Sequence, residues 1–156
     1  MKIDIYPRNK KQFLRLIDFG KEIVSICKKF KITPIVYGSL AYLIYKKDKN
    51  IKVNDIDFLI PGNNFKKIIY ILRKKGLLYK YIPEGRSLII YKGNLNVDLD
   101  AYSKKPTKLK TFNFGGLNIK ILSLKTLMGI YKRASETSKD NPKENYKKYL
   151  TLKKLK

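Results

Sequence analysis

Four aspartates stand in two short pairs, Asp55-Ile56-Asp57 and Asp98-Leu99-Asp100, each with one apolar residue between its members. Side chains two apart on an extended strand share a face, with Cα atoms about 6 to 7 Å apart, so Asp55 and Asp57 can converge on one divalent cation while Ile56 points into a core. Carboxylate oxygens suit Mg²⁺ or Mn²⁺, ions that keep some waters and take their remaining ligands from substrate phosphates. Asp98 and Asp100 share a face in the same way, and either can complete a two-metal site, in which ions about 4 Å apart activate an attacking hydroxyl and stabilise a leaving pyrophosphate. Gly38-Ser39, with fifteen residues between it and Asp55, adds a place for a triphosphate. The glycine allows a sharp turn out of a strand, and Ser39 with the following amides opens a helix whose N–H groups and dipole favour a phosphate.

These residues need a strand, a glycine turn, a helix and two further strands around them, and the chain has that order. Apolar residues at 13, 16, 17, 23, 24, 27 and 30, with Gly20 as a small core-facing position, predict an amphipathic helix from Lys10 to about Phe30. Thr33–Tyr37 reads as a short buried strand, Leu40–Tyr45 as the start of a helix, and Lys46–Lys52 as a charged loop. A strand from Val53 to Ile60 stops at Pro61-Gly62; Asn63 or Asn64 can cap a helix through Leu72 that Gly76 ends. Leu77–Ile82, Ser87–Tyr91 and Leu95–Tyr102 are strand runs separated by hairpin signals, and a further hairpin is expected between Lys108 and Lys120 around Gly115-Gly116. Ser123 caps a helix with Leu124, Leu127, Met128 and Tyr131 on one face, Asp140 and Pro142 open a last one carrying Tyr146, Tyr149 and Leu150, and Lys153–Lys156 is expected to fray.

Val36-Tyr37-Gly38-Ser39, Asp55-Ile56-Asp57-Phe58 and Val97-Asp98-Leu99 together resemble the nucleotidyltransferase superfamily, which includes polymerase beta, aminoglycoside nucleotidyltransferases and the minimal nucleotidyltransferases of toxin–antitoxin systems. Ile121-Leu122-Ser123-Leu124, Leu127, Lys132, Ala134 and Lys139-Asp140 are similar to the helical tail of its aminoglycoside-modifying and abortive-infection branches, so the resemblance spans roughly residues 33 to 150. It implies an α/β (α+β) fold: a mixed central sheet flanked by helices with a C-terminal helical tail. The expected single domain, 1–156, would have a core at 33–122, an N-terminal helix at 10–30 and C-terminal helices at 123–153. The family pattern favours Asp98 over Asp100 as third metal ligand beside Asp55 and Asp57, leaves Asp100 a supporting role, and brings Gly38, Ser39 and Lys132 to the nucleotide phosphates. Relatives often carry an arginine and a threonine before the Asp-x-Asp, where this chain has Ile51-Lys52-Val53-Asn54.

Composition narrows the chemistry. The chain lacks histidine, which excludes imidazole bases, serine-type triads and zinc hydrolases built on histidine. Cys27 is alone and sits in an apolar helical pattern, so it reads as core in a reducing, cytoplasmic setting, and neither a leader nor a membrane-spanning run is expected. With 36 basic and 12 acidic residues the net charge is +24, a field that attracts polyanions. Biased composition is the alternative source of that charge, and pairing with lysines is the alternative role of the aspartates. Lys132 can equally be a solvated helix lysine, and Tyr42, Tyr45, Tyr79, Tyr81 and Tyr91 can stack on bases or pack. The expected activity is Mg²⁺- or Mn²⁺-dependent transfer of a nucleoside monophosphate from an NTP to an acceptor hydroxyl. RNA, such as a transfer-RNA end, ranks ahead of a protein partner or an aminoglycoside-like molecule. A silent nucleic-acid-binding module and an antitoxin-like enzyme acting on a partner protein are the alternatives.

Overall fold

A computed structural model describes residues 1–155. Its elements are α1 (Lys10–Lys29), β1 (Ile35–Tyr37), α2 (Gly38–Lys46), β2 (Asp55–Pro61), α3 (Phe65–Lys74, after a 3₁₀ turn at Gly62–Asn64) and β3 (Leu78–Ile82). They continue as β4 (Ser87–Lys92), β5 (Leu95–Tyr102), β6 (Leu109–Phe114), β7 (Leu117–Leu122), α4 (Leu124–Thr137) and α5 (Pro142–Lys153). The seven strands form one mixed sheet in the order β3-β4-β5-β2-β1-β7-β6. β2 runs parallel to β5 and antiparallel to β1, and β1 runs parallel to β7.

Alternation along the central strands divides the sheet into two unlike faces. On β2, Ile56, Phe58 and Ile60 are fully buried while Asp55, Asp57 and Leu59 are half-buried; on β5, Leu95, Val97 and Leu99 are buried while Asn96, Asp98 and Asp100 are not. The apolar face packs under α1 and α3. Gly20 lets α1 come close: a Cβ there would stand 2.7 Å from the Phe114 ring and 3.0 Å from Ile56 Cδ1. The buried side of α1 is wider than its expected stripe, since Phe19 and Ile26 join Phe13, Leu16, Ile23, Val24 and Cys27 in the core. Truncating Leu16 to alanine there would cost about 2 to 5 kcal/mol. The thiol of Cys27 is pushed up to about 12 by burial. On the carboxylate side, α2, α4 and α5 pack on one another, and α2 on β1 and β2.

Several boundaries shift for identifiable reasons. β1 begins at Ile35 rather than Thr33 because Pro34 has no N–H for the ladder and joins it only by accepting from Lys120 N at 3.3 Å. β2 begins at Asp55 rather than Val53 because the Asn9 side chain serves as Val53's partner, donating Nδ2 to the carbonyl at 2.9 Å and accepting from the amide at 3.3 Å. Asn64 occupies the N-cap position of α3 without capping it; its side chain instead donates to Pro61 O and Asn63 Oδ1. Ser123 does cap α4, accepting from Thr126 N at 3.3 Å. α5 buries Leu152, while Tyr146 and Leu150 are exposed and Tyr149 is half-buried. Lys153 closes that helix and Leu155 N donates back to Leu152 O at 3.0 Å; Lys156, the last residue of the end expected to fray, lies outside the described residues.

Candidate active site

Register assembles the acidic site. Tyr37 of β1 stands opposite Asp57 of β2, which stands opposite Asp98 of β5, and Asp55 stands opposite Asn96. One carboxylate oxygen from each of Asp55, Asp57 and Asp98 lies within 4.8 Å of the other two, a spacing at which one ion can be shared. The helix turn sits against this group. Gly38 has φ +69°, and a Cβ there would collide with Asp57 Oδ2 and lie 2.9 Å from its Cγ, so only glycine lets α2 begin beside the carboxylate. α2 starts at Gly38 itself, two residues before the expected Leu40, which puts Ser39 in its first turn.

The electrostatics are those of a site built for cations. Burial, and then the charges of Asp55, Asp98 and Asp100, push the Asp57 carboxyl well above the usual range, against the opposing pull of Lys148. Asp98 is raised to about 6 by burial and by Asp55 and Asp100. Burial raises Asp55, with Lys148 pulling the other way. Among the described residues, two side-chain polar atoms are buried with no hydrogen-bond partner, Asp98 Oδ1 and Ser39 Oγ, at the points where a metal ion and a phosphate would supply one. Hard oxygen donors, an orphaned carboxylate oxygen and mutual repulsion all fit a divalent cation.

Asp100, two residues further on β5, is differently used. Its two oxygens accept from Tyr37 Oη and Ser87 Oγ, so it is satisfied within the protein. The Tyr37 hydroxyl is itself raised, by burial first and then by Asp100 and Asp57, and stays a donor.

The cation beside the triad is Lys148 on α5. Its Nζ lies 5.6 Å from the Tyr42 ring centroid and 5.4 Å from that of Tyr131, and 3.9 Å from Glu144 Oε1. Tyr42 and Tyr131 meet edge to face at 5.9 Å and are both buried, so Tyr42 packs under the site. Lys132 is exposed on α4 with its Nζ 5.8 Å from the Tyr149 ring, and lines an outer groove with Lys108, Lys125 and Arg133 instead of joining the triad. A cavity of about 490 Å³ opens between Ser39 and Tyr42 of α2, Lys52 and Asn54 before β2, and Lys147 and Lys148 of α5. A larger hollow of about 720 Å³ lies at Tyr6, Lys10 and residues 46–50; neither cavity is lined by a triad aspartate, and the smaller one is the one that includes Ser39. Lys148 and Ser87 carry no motif, and Tyr37 lies within the Val36–Ser39 motif without a role read for it; for Lys148 the only local signal is its i, i+4 spacing from Glu144.

No protein-family model and no curated protein matches the sequence. Solved structures do match its shape. The lincosamide antibiotic adenylyltransferase LnuA, bound to lincomycin, aligns over 89% of this chain and 97% of its own, with a TM-score of 0.63 and 12% identity. A putative nucleotidyltransferase from Thermotoga maritima aligns over 94% and 96%, with a TM-score of 0.60 and 18% identity. The Megavirus polyadenylate synthase aligns over 89% of this chain and 32% of its own, with a TM-score of 0.57 and 22% identity. A strand-turn-helix at Gly38-Ser39, a mixed sheet presenting three aspartates on one face, and this shared architecture make the chain's fold the nucleotidyltransferase fold.

Proposed function

We propose that the chain transfers a nucleoside monophosphate from an NTP to an acceptor hydroxyl. The observation that carries this reading is the unneutralised acidic group beside the α2 N-terminus: three converging carboxylates and, next to them, an unpartnered Ser39 hydroxyl. Asp55, Asp57 and Asp98 would hold Mg²⁺ or Mn²⁺, which would lower the pKa of the acceptor hydroxyl and offset charge on the leaving group.

The protein's own groups supply the rest. Ser39 Oγ and the first amides of α2 face the phosphates, and Lys148 with Lys147 and Lys52 lines the same cavity, placing positive charge around a triphosphate. The acceptor oxygen bonds to Pα as the Pα–O bond to Pβ breaks, and pyrophosphate leaves with the electron pair. The Asp98 carboxylate oxygen that is not given to the ion would take the hydroxyl proton. Asp100 holds the Tyr37 hydroxyl across β2 and so keeps a wall of the site in place. Lys148, by its place beside Asp55 and Asp57, takes the phosphate role that the family pattern gives to Lys132.

RNA is the acceptor class that the field of a +24 chain favours. A small hydroxylated molecule is the second reading, favoured by the alignment over nearly the whole length of LnuA, whose acceptor is an antibiotic. The test is incubation with each α-³²P-labelled NTP, Mg²⁺ or Mn²⁺, and either total RNA or a small-molecule extract, beside Asp55→Ala/Asp57→Ala. Label on RNA that the variant fails to add supports the first reading. Label only on small molecules moves the acceptor to the second, and no label with any nucleotide rejects transfer.

A further inference from the structure

We propose that the edge formed by α3 and β3 is a docking surface for single-stranded RNA, an inference that deepens the acceptor reading and rests on it. Residues 65–82 carry six cations, Lys66, Lys67, Arg73, Lys74, Lys75 and Lys80, and no carboxylate. Among the described residues none of the six enters a salt bridge. Helix chemistry accounts for Arg73 and Lys74, which lie in the last turn of α3 against the negative end of its dipole. It does not account for Lys66 and Lys67. They occupy the first turn, where the dipole prefers an anion and α3 has no acidic residue. Cations set against the dipole and left without an internal partner form a basic surface open to an anionic ligand.

The same surface exposes aromatic and apolar area. Tyr70 is 58% exposed, and helical spacing puts Lys66, Lys67, Arg73 and Lys74 around it, with Lys74 Nζ 5.0 Å from the ring centroid. Arg73 is fixed nearby, donating Nε to Tyr79 Oη at 2.8 Å. On β3, the edge strand, Tyr81 is 42% exposed on the α3 side, and Leu78, on the carboxylate side with Lys80, is 73% exposed. A phenol ring flanked by cations offers a base a stacking face and its neighbouring phosphates counter-charges. Bases in a duplex already stack on both sides, so the platform suits a single strand. An acidic protein would also neutralise the lysines, and competition by polyglutamate tells the two apart.

The edge also leads to the carboxylates. Lys80 of β3 stands opposite Ile89 of β4, which stands opposite Asp98 of β5, so all three share one row and one sheet face. Two strand spacings separate Lys80 from Asp98, about 10 Å, within the reach of one or two nucleotides. A strand held at Tyr70 and turned over Leu78 and Lys80 delivers its end to the triad.

The test is fluorescence anisotropy of the full chain with a labelled mixed-sequence RNA, single-stranded or annealed, without nucleotide or divalent metal, on variants whose thermal melts show them folded. Tyr70→Ala is expected to weaken single-strand binding about tenfold and leave duplex binding nearly unchanged. Lys66→Gln/Lys67→Gln is expected to reduce the salt slope by about 1.4, against less than half that for Lys28→Gln/Lys29→Gln, the same charge change on α1. Equal effects from the two lysine pairs with a silent Tyr70→Ala would overturn the proposal, leaving a diffuse field. So would polyglutamate binding as tightly as RNA at equal salt, which would make the surface one for acidic proteins. Because binding is read without chemistry, either failure leaves the transfer reading standing. Loss of that reading, with Tyr70-dependent binding intact, leaves the surface.

Discussion

The acidic site and the α3–β3 edge are opposite cases of the same imbalance. At Asp55, Asp57 and Asp98, carboxyls gathered on a half-buried sheet face are all raised by burial, and the charge of Asp55 adds to the rise at Asp57 and Asp98. Along α3 and β3, six cations stand in water without an acidic neighbour in the segment. Burial makes the first imbalance costly to the free protein, and solvent makes the second nearly free. The first therefore implies a ligand that binds tightly at a few atoms, and the second a ligand held loosely over many, with strong salt dependence.

Substitutions should separate the two regions most widely in activity. Asp57→Asn should lower nucleotidyl transfer by roughly 10³-fold or more, read as label incorporation, and yet raise the melting temperature of the metal-free protein at pH 7.5. Lys66→Gln/Lys67→Gln should leave incorporation on a short acceptor within a factor of about two or three. An Asp57→Asn enzyme retaining substantial activity would mean that the triad does not hold the catalytic ion.

Two glycines with nearly the same backbone angle sharpen the contrast further. Gly38 has φ +69° with the Asp57 carboxylate against it, and Gly76 has φ +68° with nothing within 4 Å. Gly76→Ala should cost about 1 to 2 kcal/mol in urea unfolding, the left-handed penalty alone, while Gly38→Ala should cost clearly more and abolish Mn²⁺ binding.

Lys148→Gln should weaken NTP binding about tenfold by calorimetry, against less than twofold for Lys132→Gln. A reversed order would return the phosphate role to α4. The pH response is smaller. The folded-state pKa of Asp98 is about 6 against an ordinary 3.8, so its contribution to metal-free stability is present below about pH 4 and is lost as pH rises through 6. The melting temperature of Asp98→Asn minus that of the wild type should therefore grow by a few degrees from pH 4 to pH 7. Added Mg²⁺ should cancel the difference at pH 7.5 and not at pH 4.5. The smallest effect falls at the basic edge, where Lys66→Gln/Lys67→Gln should stabilise the protein by about 0.5 kcal/mol by removing charge from the positive end of α3.

The parts of this architecture that repeat with a short period were legible in the sequence. Asp-Ile-Asp and Val-Asp-Leu announce two strands with carboxylates on one side, and the helix stripes and hairpin glycines place nearly every element. What was not legible depends on strand order and on distant partners. Asp98 and Asp100 have the same local pattern, and only the neighbours across the sheet, Tyr37 and Ser87 on other strands, occupy one and leave the other with an orphaned oxygen. Lys148 is 91 positions from Asp57 and is brought near enough for its charge to act on it because α5 packs on α2; Lys132 lies on α4 with its Nζ 5.8 Å from the Tyr149 ring. The strand starts moved for similar reasons, since nothing local in Asn9 says that its side chain will stand in for a strand beside Val53.

Ile56 has one more consequence. It is the residue between the paired aspartates, and its Cδ1 lies just beneath the bare backbone of Gly20 on the far side of the sheet. A Cβ added at that helix position must push aside the Phe114 ring and the tip of the Ile56 side chain, the residue that spaces Asp55 from Asp57. The tolerance of the carboxylate face is thus tied to a contact on the opposite side of the sheet. In directed evolution of such a protein, new acceptors should be found by changing the open face, while position 20 should stay glycine throughout.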